Sequence, residues 1–323
     1  RITNGHGQGA ERIMNAEAEF LQGRFVDAQI CLENTYVHIA ENGQENMVLC
    51  CDFLALRLAL CTELSLSYTI AERRKELLRR HNITWVTLFD SVCAYYYALS
   101  GQITQIPVLF REHQLSTVNF LAPGKPMMEL IENQVYLAQQ EYAKVIGRSE
   151  GLLAVCEAMH YALVALHVQI QTAAAYECLG KRTEARNCLK RAIQIALPDQ
   201  FYLPFVENYE YLEELLQREI QTADAAEHVF LTKVTELGKN CQKRYGALRK
   251  THMFPKIAAE LTEQEQRIIE LLAERLSNRE IAEKLFLSEG TIKQYINRIY
   301  AKLQISGDVR TKRRQLIELL TAE

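Results

Sequence analysis

The chain has 323 residues, of which 48% are hydrophobic and 24% charged, and its formal net charge is −3. At about 150 residues per domain this length suits two domains, each with its own core, and the composition excludes a disordered chain. Fourteen Gly and six Pro are about half the usual share, which disfavours turn-rich β sandwiches and barrels and predicts an all-α fold.

No cationic segment followed by an apolar run opens the chain, so no secretory signal is read there. Residues 91–110 and 158–176 lack Asp, Glu, Lys and Arg, but Gly101, Gln102, Gln105 and Pro107 interrupt the first. His160, His167, Gln169 and Gln171 interrupt the second. Both read as buried helices and not as membrane spans. Nine cysteines, at 31, 50, 51, 61, 93, 156, 178, 188 and 241, make an odd set without a C-x-x-C spacing. That usage predicts reduced core thiols and a cytoplasmic protein with no metal site.

A Leu-Gly pair followed by small residues at fixed offsets occurs twice. Leu21 and Gly23 precede Ala28 and Leu32, and Leu179 and Gly180 precede Ala185, Leu189, Ala192 and Pro198. The Gly23 position recurs with less fidelity at Thr62, Gly101 and Gln140, a period of 39 to 40 residues up to Gly180. The pattern resembles the tetratricopeptide repeat, a helix hairpin in which Gly ends the first helix and small residues let the second approach. The period exceeds the usual ~34 residues and so predicts longer helices. Stacked hairpins bury their apolar faces only against one another, which predicts a superhelix with a concave groove. Further helices are expected near 205–217 and 222–248. The expected division is a repeat domain over 1–250, a linker over 251–260 around Phe254-Pro255, and a second domain over 261–323.

From Leu261 the pattern changes to short capped helices. Thr262 with Glu265 and Ser277 with Glu280 form capping boxes, and Ser288 caps a third helix after only a Phe286-Leu287 turn. Helices joined by so short a turn cross steeply, as in a helix-turn-helix. On a wheel of about 100° per residue, Ile292, Ile296, Ile299 and Leu303 form one apolar seam. Opposite it lie Gly290, Lys293, Gln294, Asn297 and Ala301. Lys suits guanine O6 and N7, while Gln and Asn suit adenine N6 and N7, so Lys293, Gln294 and Asn297 are the candidate base readers. Thr291, Arg298 and Lys302 on one flank, with Asn278 and Arg279 at the start of the second helix, are the candidate phosphate contacts. Charge agrees with this placement: residues 260–289 carry four basic and eight acidic side chains, whereas 290–314 carry seven basic and one acidic.

The run Leu261-Thr262-x-x-Glu265, Ser277-Asn278-Arg279-Glu280-Ile281-Ala282, Leu285-x-x-Ser288-Glu289-Gly290-Thr291-Ile292-Lys293 and Lys302-Leu303 resembles the LuxR-type DNA-binding domain of bacterial transcription regulators. Three features depart from that family: Arg275 stands where Gly is usual, Tyr295 where His is frequent, and residues 306–314 replace a shorter turn before the fourth helix. A repeat domain feeding such a domain, together with Ala196-Leu197-Pro198-Asp199 through Leu203-Pro204-Phe205-x-Glu207-Asn208, resembles the C-terminal half of the large ATP-dependent, MalT-like regulators. The resemblance implies a DNA-binding activator with double-stranded promoter DNA and RNA polymerase as partners. It further implies an effector, small molecule or protein, on the repeat domain, and a homo-oligomer on DNA. Those regulators carry an NTPase module; here Gly124-Lys125 is followed by Pro126, Gly180-Lys181 by Arg182 and Gly238-Lys239 by Asn240, so no phosphate-binding loop is present. The chain is expected to hold no cofactor itself, ATP belonging to a longer parent protein if the module lies before Arg1.

His160 and His167, seven apart and expected on one helix face, find no third ligand nearby and read as core or groove residues. Trp85 and Tyr95-Tyr96-Tyr97 read as packing more than as a pocket lining. With no nucleophile elbow and no alternating strands, neither an enzyme nor a receiver domain is expected. Two other functions fit the same features: a tetratricopeptide-like docking scaffold that DNA binding merely locates, and a sigma-like initiation subunit.

Overall fold

The computed structural model of the protein describes residues 9–41, 45–63, 69–118, 124–273, 276–302, 305, 311–313 and 316. Every regular element among them is helical. They fall into two compact units, Arg1–Arg244 and Tyr245–Glu323.

The first unit is built of helix hairpins: α1 (Ala10–Leu21) with α2 (Phe25–Glu41), α3 (Glu45–Cys61) with α4 (Ile70–Arg79), α5 (Ile83–Leu99) with the short α6 (Val108–Arg111), α7 (Lys125–Ala138) with α8 (Tyr142–Ala158), and α9 (Ala162–Cys178) with α10 (Arg182–Ala196). After them come α11 (Leu203–Glu207), α12 (Tyr209–Ile220) and α13 (Ala225–Glu260), within which the division into units falls. Residues 251–260 continue α13 as helix, where the sequence suggests a linker; a helix satisfies its own backbone hydrogen bonds and can connect without other support.

Left-handed helix ends stand at four of the expected positions. Gly23, Gly101, Gln140 and Gly180 all take left-handed φ, between 63° and 73°. At each, the amide at that position and the next one bond back to carbonyls three and five residues earlier, as in Gly180 to Glu177 and Lys181 to Tyr176, both 2.9 Å. This is the Schellman termination, which needs a left-handed residue and therefore favours glycine. Thr62 departs from it: its amide continues the α-helical pattern onto Leu58 at 2.8 Å. Gln140 is exposed and pays the left-handed strain without a compensating contact. Gln140→Gly should therefore stabilise the unit by about 1 kcal/mol, while Gln140→Ala should not. Trp85, the sole tryptophan, packs in this unit against Leu77, Val86 and Phe89, so fluorescence-monitored urea unfolding reads the difference directly.

The helices form two layers. α1, α3, α5, α7 and α9 pack on one another in succession, and the inner ones are covered on every side: residues 166–175 of α9 are all buried. This accounts for the two chargeless stretches, since a helix without a solvent face has no place for free charge. No helix among the described residues is long and apolar enough to cross a membrane.

The segment around α11 is packed inside the first unit. Tyr202 donates its amide to the Leu21 carbonyl at 2.8 Å, and Gln22 donates to the Asp199 carbonyl at 2.8 Å, joining the segment before α11 to the first hairpin. All five residues of α11 are buried. Glu207 accepts from Arg57 Nε at 2.6 Å and from the Tyr95 hydroxyl at 2.9 Å, and Arg57 also pairs with Glu17. The guanidinium lies over Phe20 and Phe53, 4.7 and 5.0 Å from the ring centroids. Burial opposes the charge on Arg57, yet Glu17 and Glu207 hold it firmly protonated. A neutral chain continues the network: Gln171 donates to Gln134 at 3.0 Å, and Gln134 to Asn208 at 3.1 Å.

Asn208 also corrects the helix expected over 205–217. Its side-chain Nδ2 donates to the Pro204 carbonyl at 3.1 Å, a local bond that competes with helix propagation and separates α11 from α12. His160 and His167 do not share a helix face. His160 is exposed with φ 56° in the turn before α9, while His167 is buried inside that helix. Five of the nine cysteines are buried, and Cys50 and Cys178 are exposed where core thiols were expected.

Candidate nucleic-acid interface

The second unit contains α14 (Glu263–Ala273), α15 (Asn278–Leu285) and α16 (Glu289–Lys302), with residues 311–313 and 316 also helical. Its core unites Ile268, Ile269 and Leu272 of α14, Ile281 and Ala282 of α15, and Ile292, Ile296, Ile299 and Tyr300 of α16, with Leu261 and Leu316. Leu303, Arg275, residues 306–310 and Arg314 lie outside the described residues.

Local chemistry sets where each helix starts. Thr262 donates its amide to Glu265 at 2.8 Å, and Ser277 donates its amide to Glu280 at 2.7 Å. In return each hydroxyl accepts the amide of its glutamate, at 3.4 and 3.3 Å. These are reciprocal capping boxes that satisfy donors no helix can satisfy internally. Thr291 donates its amide to Ser288 Oγ at 3.0 Å, which starts α16. Between α15 and α16, Phe286 takes the left-handed conformation with φ 53°. That single residue turns the chain sharply enough to cross the two helices, and its ring is 95% exposed.

With Ile292, Ile296 and Ile299 committed to the core, the opposite face of α16 is open. Lys293, Gln294, Asn297 and Ala301 are exposed there together, along with Gly290 at the start. A Cβ added to Gly290 would meet only Ser288 Oγ at 3.7 Å, so packing within the unit does not require a glycine at that place. On the flank, Arg298 is exposed, with its guanidinium 5.8 Å from the Tyr295 ring centroid. Arg279 pairs with Glu283 at 3.1 Å, both largely exposed, a pair weak enough to yield to a phosphate.

Three other candidates are engaged within the unit. Thr291 shares a 2.7 Å hydrogen bond between its hydroxyl and that of Ser288. Asn278 accepts from Arg313 at 2.6 Å, and Arg313 also donates to the Leu276 carbonyl. Lys302 donates to Glu265 at 2.7 Å. Glu265 is 3% exposed, so one carboxylate serves both the cap of α14 and an ion pair to the end of α16. Neither the Lys302–Glu265 nor the Arg313–Asn278 pairing was read from the sequence. A lysine 37 positions from a glutamate gives no local signal, although the Thr262 capping box already marks Glu265 as a placed carboxylate.

Burial raises the Glu265 pKa, but the bonds from Lys302 and Thr262 outweigh it and hold the carboxyl below its usual 4.5. A carboxyl with a lowered folded pKa stabilises fully above its unfolded pKa, and that contribution is lost as pH falls through the folded value. The second unit should therefore lose stability as pH drops below about 4.5, and Glu265→Gln should flatten that dependence. Lys302→Ala should cost about 1–3 kcal/mol by stranding a buried carboxylate, whereas Arg298→Ala should leave stability within about 0.5 kcal/mol. Hydrogen exchange of the α14 and α16 amides reports both at the level of this unit.

Residues 259–313 match the family model described as bacterial regulatory proteins, luxR family. The DNA-binding transcriptional activator DevR/DosR of Mycobacterium tuberculosis is 49% identical over 43 residues, 13% of this chain and 20% of that protein. The match thus spans a fifth of the relative's length. No solved structure matches the chain. Sequence match and helix geometry coincide on the same segment: this chain carries, at its C-terminus, a LuxR-family helix-turn-helix domain.

Proposed function

We propose that this protein is a sequence-specific DNA-binding transcription regulator, acting as an activator. Its helical-repeat domain receives a small-molecule or protein effector and controls self-association on promoter DNA. The observation that carries this reading is the exposed trio Lys293, Gln294 and Asn297 on α16, opposite an isoleucine seam buried in the core. That arrangement leaves base-reading head groups free on a helix of the width a major groove admits. Arg279, Arg298, Thr291, Asn278 and Lys302 border the same helix and supply phosphate contacts. For Asn278 and Lys302 this means sharing with or leaving Arg313 and Glu265. The relative's description as a transcriptional activator supports activation, and RNA polymerase is the partner such an activator would engage. The hairpin repeat with its Schellman turns supports a tetratricopeptide-like, MalT-like sensor domain in a cytoplasmic protein.

Selection of bound sequences from a random duplex pool by the full chain tests the proposal. A recurring motif, enriched without RNA polymerase, is the expected result. Enrichment only in the presence of polymerase core would replace it with the sigma-like reading. A stable protein complex formed without DNA, and no motif, would replace it with the scaffold reading.

A further inference from the structure

Between the first helices of the hairpins lies a cavity of 560 Å³, walled by α1, α3, α5, α7 and α9. Met14, Leu49, Val92, Met128 and Leu163 are typical of its lining. A recess of 40 Å³ adjoins it and shares Glu17, Phe53, Met127 and Leu163 with it. The first space has the size and apolar character of a small-molecule site. The second is large enough for a water molecule or one small polar head group.

The recess is what gives the cavity a chemical preference. Arg57 and His167 line it, and they are 2% and 6% exposed. Arg57 Nη2 and His167 Nδ1 have no protein partner although both atoms are buried. Buried donors and acceptors left unmatched are costly, so a group entering the recess gains by matching them. The charge around them is already set. Arg57 faces two carboxylates, Glu17 and Glu207. His167 is neutral, its pKa lowered to about 3 by burial and by the nearby Arg57. The cluster thus carries one net negative charge, on carboxylates of which Glu207 is buried and Glu17 partly exposed, and a further carboxylate beside them would add a second at a cost. A cationic head would have to approach the Arg57 guanidinium. A neutral head that both accepts and donates, a hydroxyl or a carboxamide, can accept from Arg57 Nη2 and complete His167 Nδ1 in either tautomer.

We propose that the 560 Å³ cavity and its recess bind a neutral amphiphile, with the apolar body among the first helices and a hydroxyl or carboxamide head against Arg57 and His167. The inference rests on the reading of the repeat domain as the effector-receiving part, and it names the site and the ligand chemistry.

The test uses the full chain and Nile red, a neutral apolar dye whose fluorescence rises in such a cavity. Displacement of the dye is then measured with 1-octanol, octanamide and octanoate at a pH where the last is ionised. Saturable dye binding is expected. The alcohol and the amide should displace it at about tenfold lower concentration than octanoate, the equivalent of 1.4 kcal/mol. Met14→Trp, at a lining position that is 70% exposed, should weaken the dye and all three competitors. His167→Leu should keep dye binding and erase the preference for the neutral heads. His167→Gln, which keeps a hydrogen-bonding head, should retain part of it and serves if the leucine variant does not fold by Trp85 fluorescence. Absence of saturable dye binding, octanoate competing as well as octanol, or a preference that survives His167→Leu would each overturn the proposal. Equal displacement by all three would mean that the recess holds water only. No DNA enters these measurements, so failure to enrich a DNA motif and failure here are separate results.

Discussion

Replacing Glu207 with Ala should destabilise the repeat unit by about 3–5 kcal/mol, the usual cost of removing one partner of a buried ion pair. The side chains of Arg57 and Glu207 are 3% and 1% exposed, so neither charge has water to fall back on. Loss of Glu207 leaves Arg57 with Glu17 alone, itself 22% exposed, and leaves the buried Tyr95 hydroxyl without its acceptor. Glu207→Gln keeps an acceptor for Arg57 and a polar partner for Tyr95, and should cost about 1–3 kcal/mol. The gradation separates lost charge from lost volume. Urea unfolding followed through Trp85 reports this unit selectively, because the second unit has no tryptophan. An alanine variant that loses less than about 1 kcal/mol would show that α11 is not anchored through this carboxylate.

Simultaneous substitution of Lys293, Gln294 and Asn297 by Ala should lower affinity for the preferred duplex by about 10²- to 10⁶-fold, since each base-reading contact is worth about 1–3 kcal/mol. Affinity for scrambled duplex should fall far less, by the share of the one charge lost at Lys293. All three side chains are exposed, so the fold should be unaffected within about 0.5 kcal/mol. Arg298→Ala should behave differently: it should weaken preferred and scrambled duplexes alike and reduce the salt slope by about one. Fluorescence anisotropy on both duplexes at several salt concentrations resolves the two patterns. Selectivity that survives the triple substitution would remove α16 from the reading role.

Much of the helix-turn-helix could be read from the sequence because its determinants are local. A serine or threonine three residues before a glutamate specifies a helix start through backbone donors that must be satisfied on the spot. An isoleucine spacing of 3.6 residues assigns one face of α16 to the core and leaves the other to solvent whatever the helix packs against. Some helix ends could be read for a similar reason: Gly23, Gly101 and Gly180 mark turns whose left-handed φ is a property of a single residue, although His81, His113, His160 and Gln200 take it off that spacing. Gln140 shows the limit of that signal, since an occupied side chain can be forced into the same turn by its helix neighbours.

What only the tertiary structure decided are pairings between residues far apart in the chain. Arg57 and Glu207 are 150 positions apart, and Lys302 and Glu265 are 37 apart. An arginine within an apolar helix such as α3 reads equally well as a solvated charge, an ion pair or a ligand contact. Choosing among these requires knowing which helix faces it. The placement of α11 against α1 and α9 belongs to the same class, because Leu203-Pro204-Phe205-Val206 states that the segment is buried without stating where. The sequence by itself determined the all-helical class, the helix starts at Thr262, Ser277 and Ser288, and the face α16 gives up to burial, which follow from backbone geometry and periodicity. The tertiary structure decided where α11 is buried, which polar atoms are left without partners, and which candidate DNA contacts are already engaged. Those depend on packing in three dimensions, where a single buried charge is tolerated only if its partner arrives at hydrogen-bond distance.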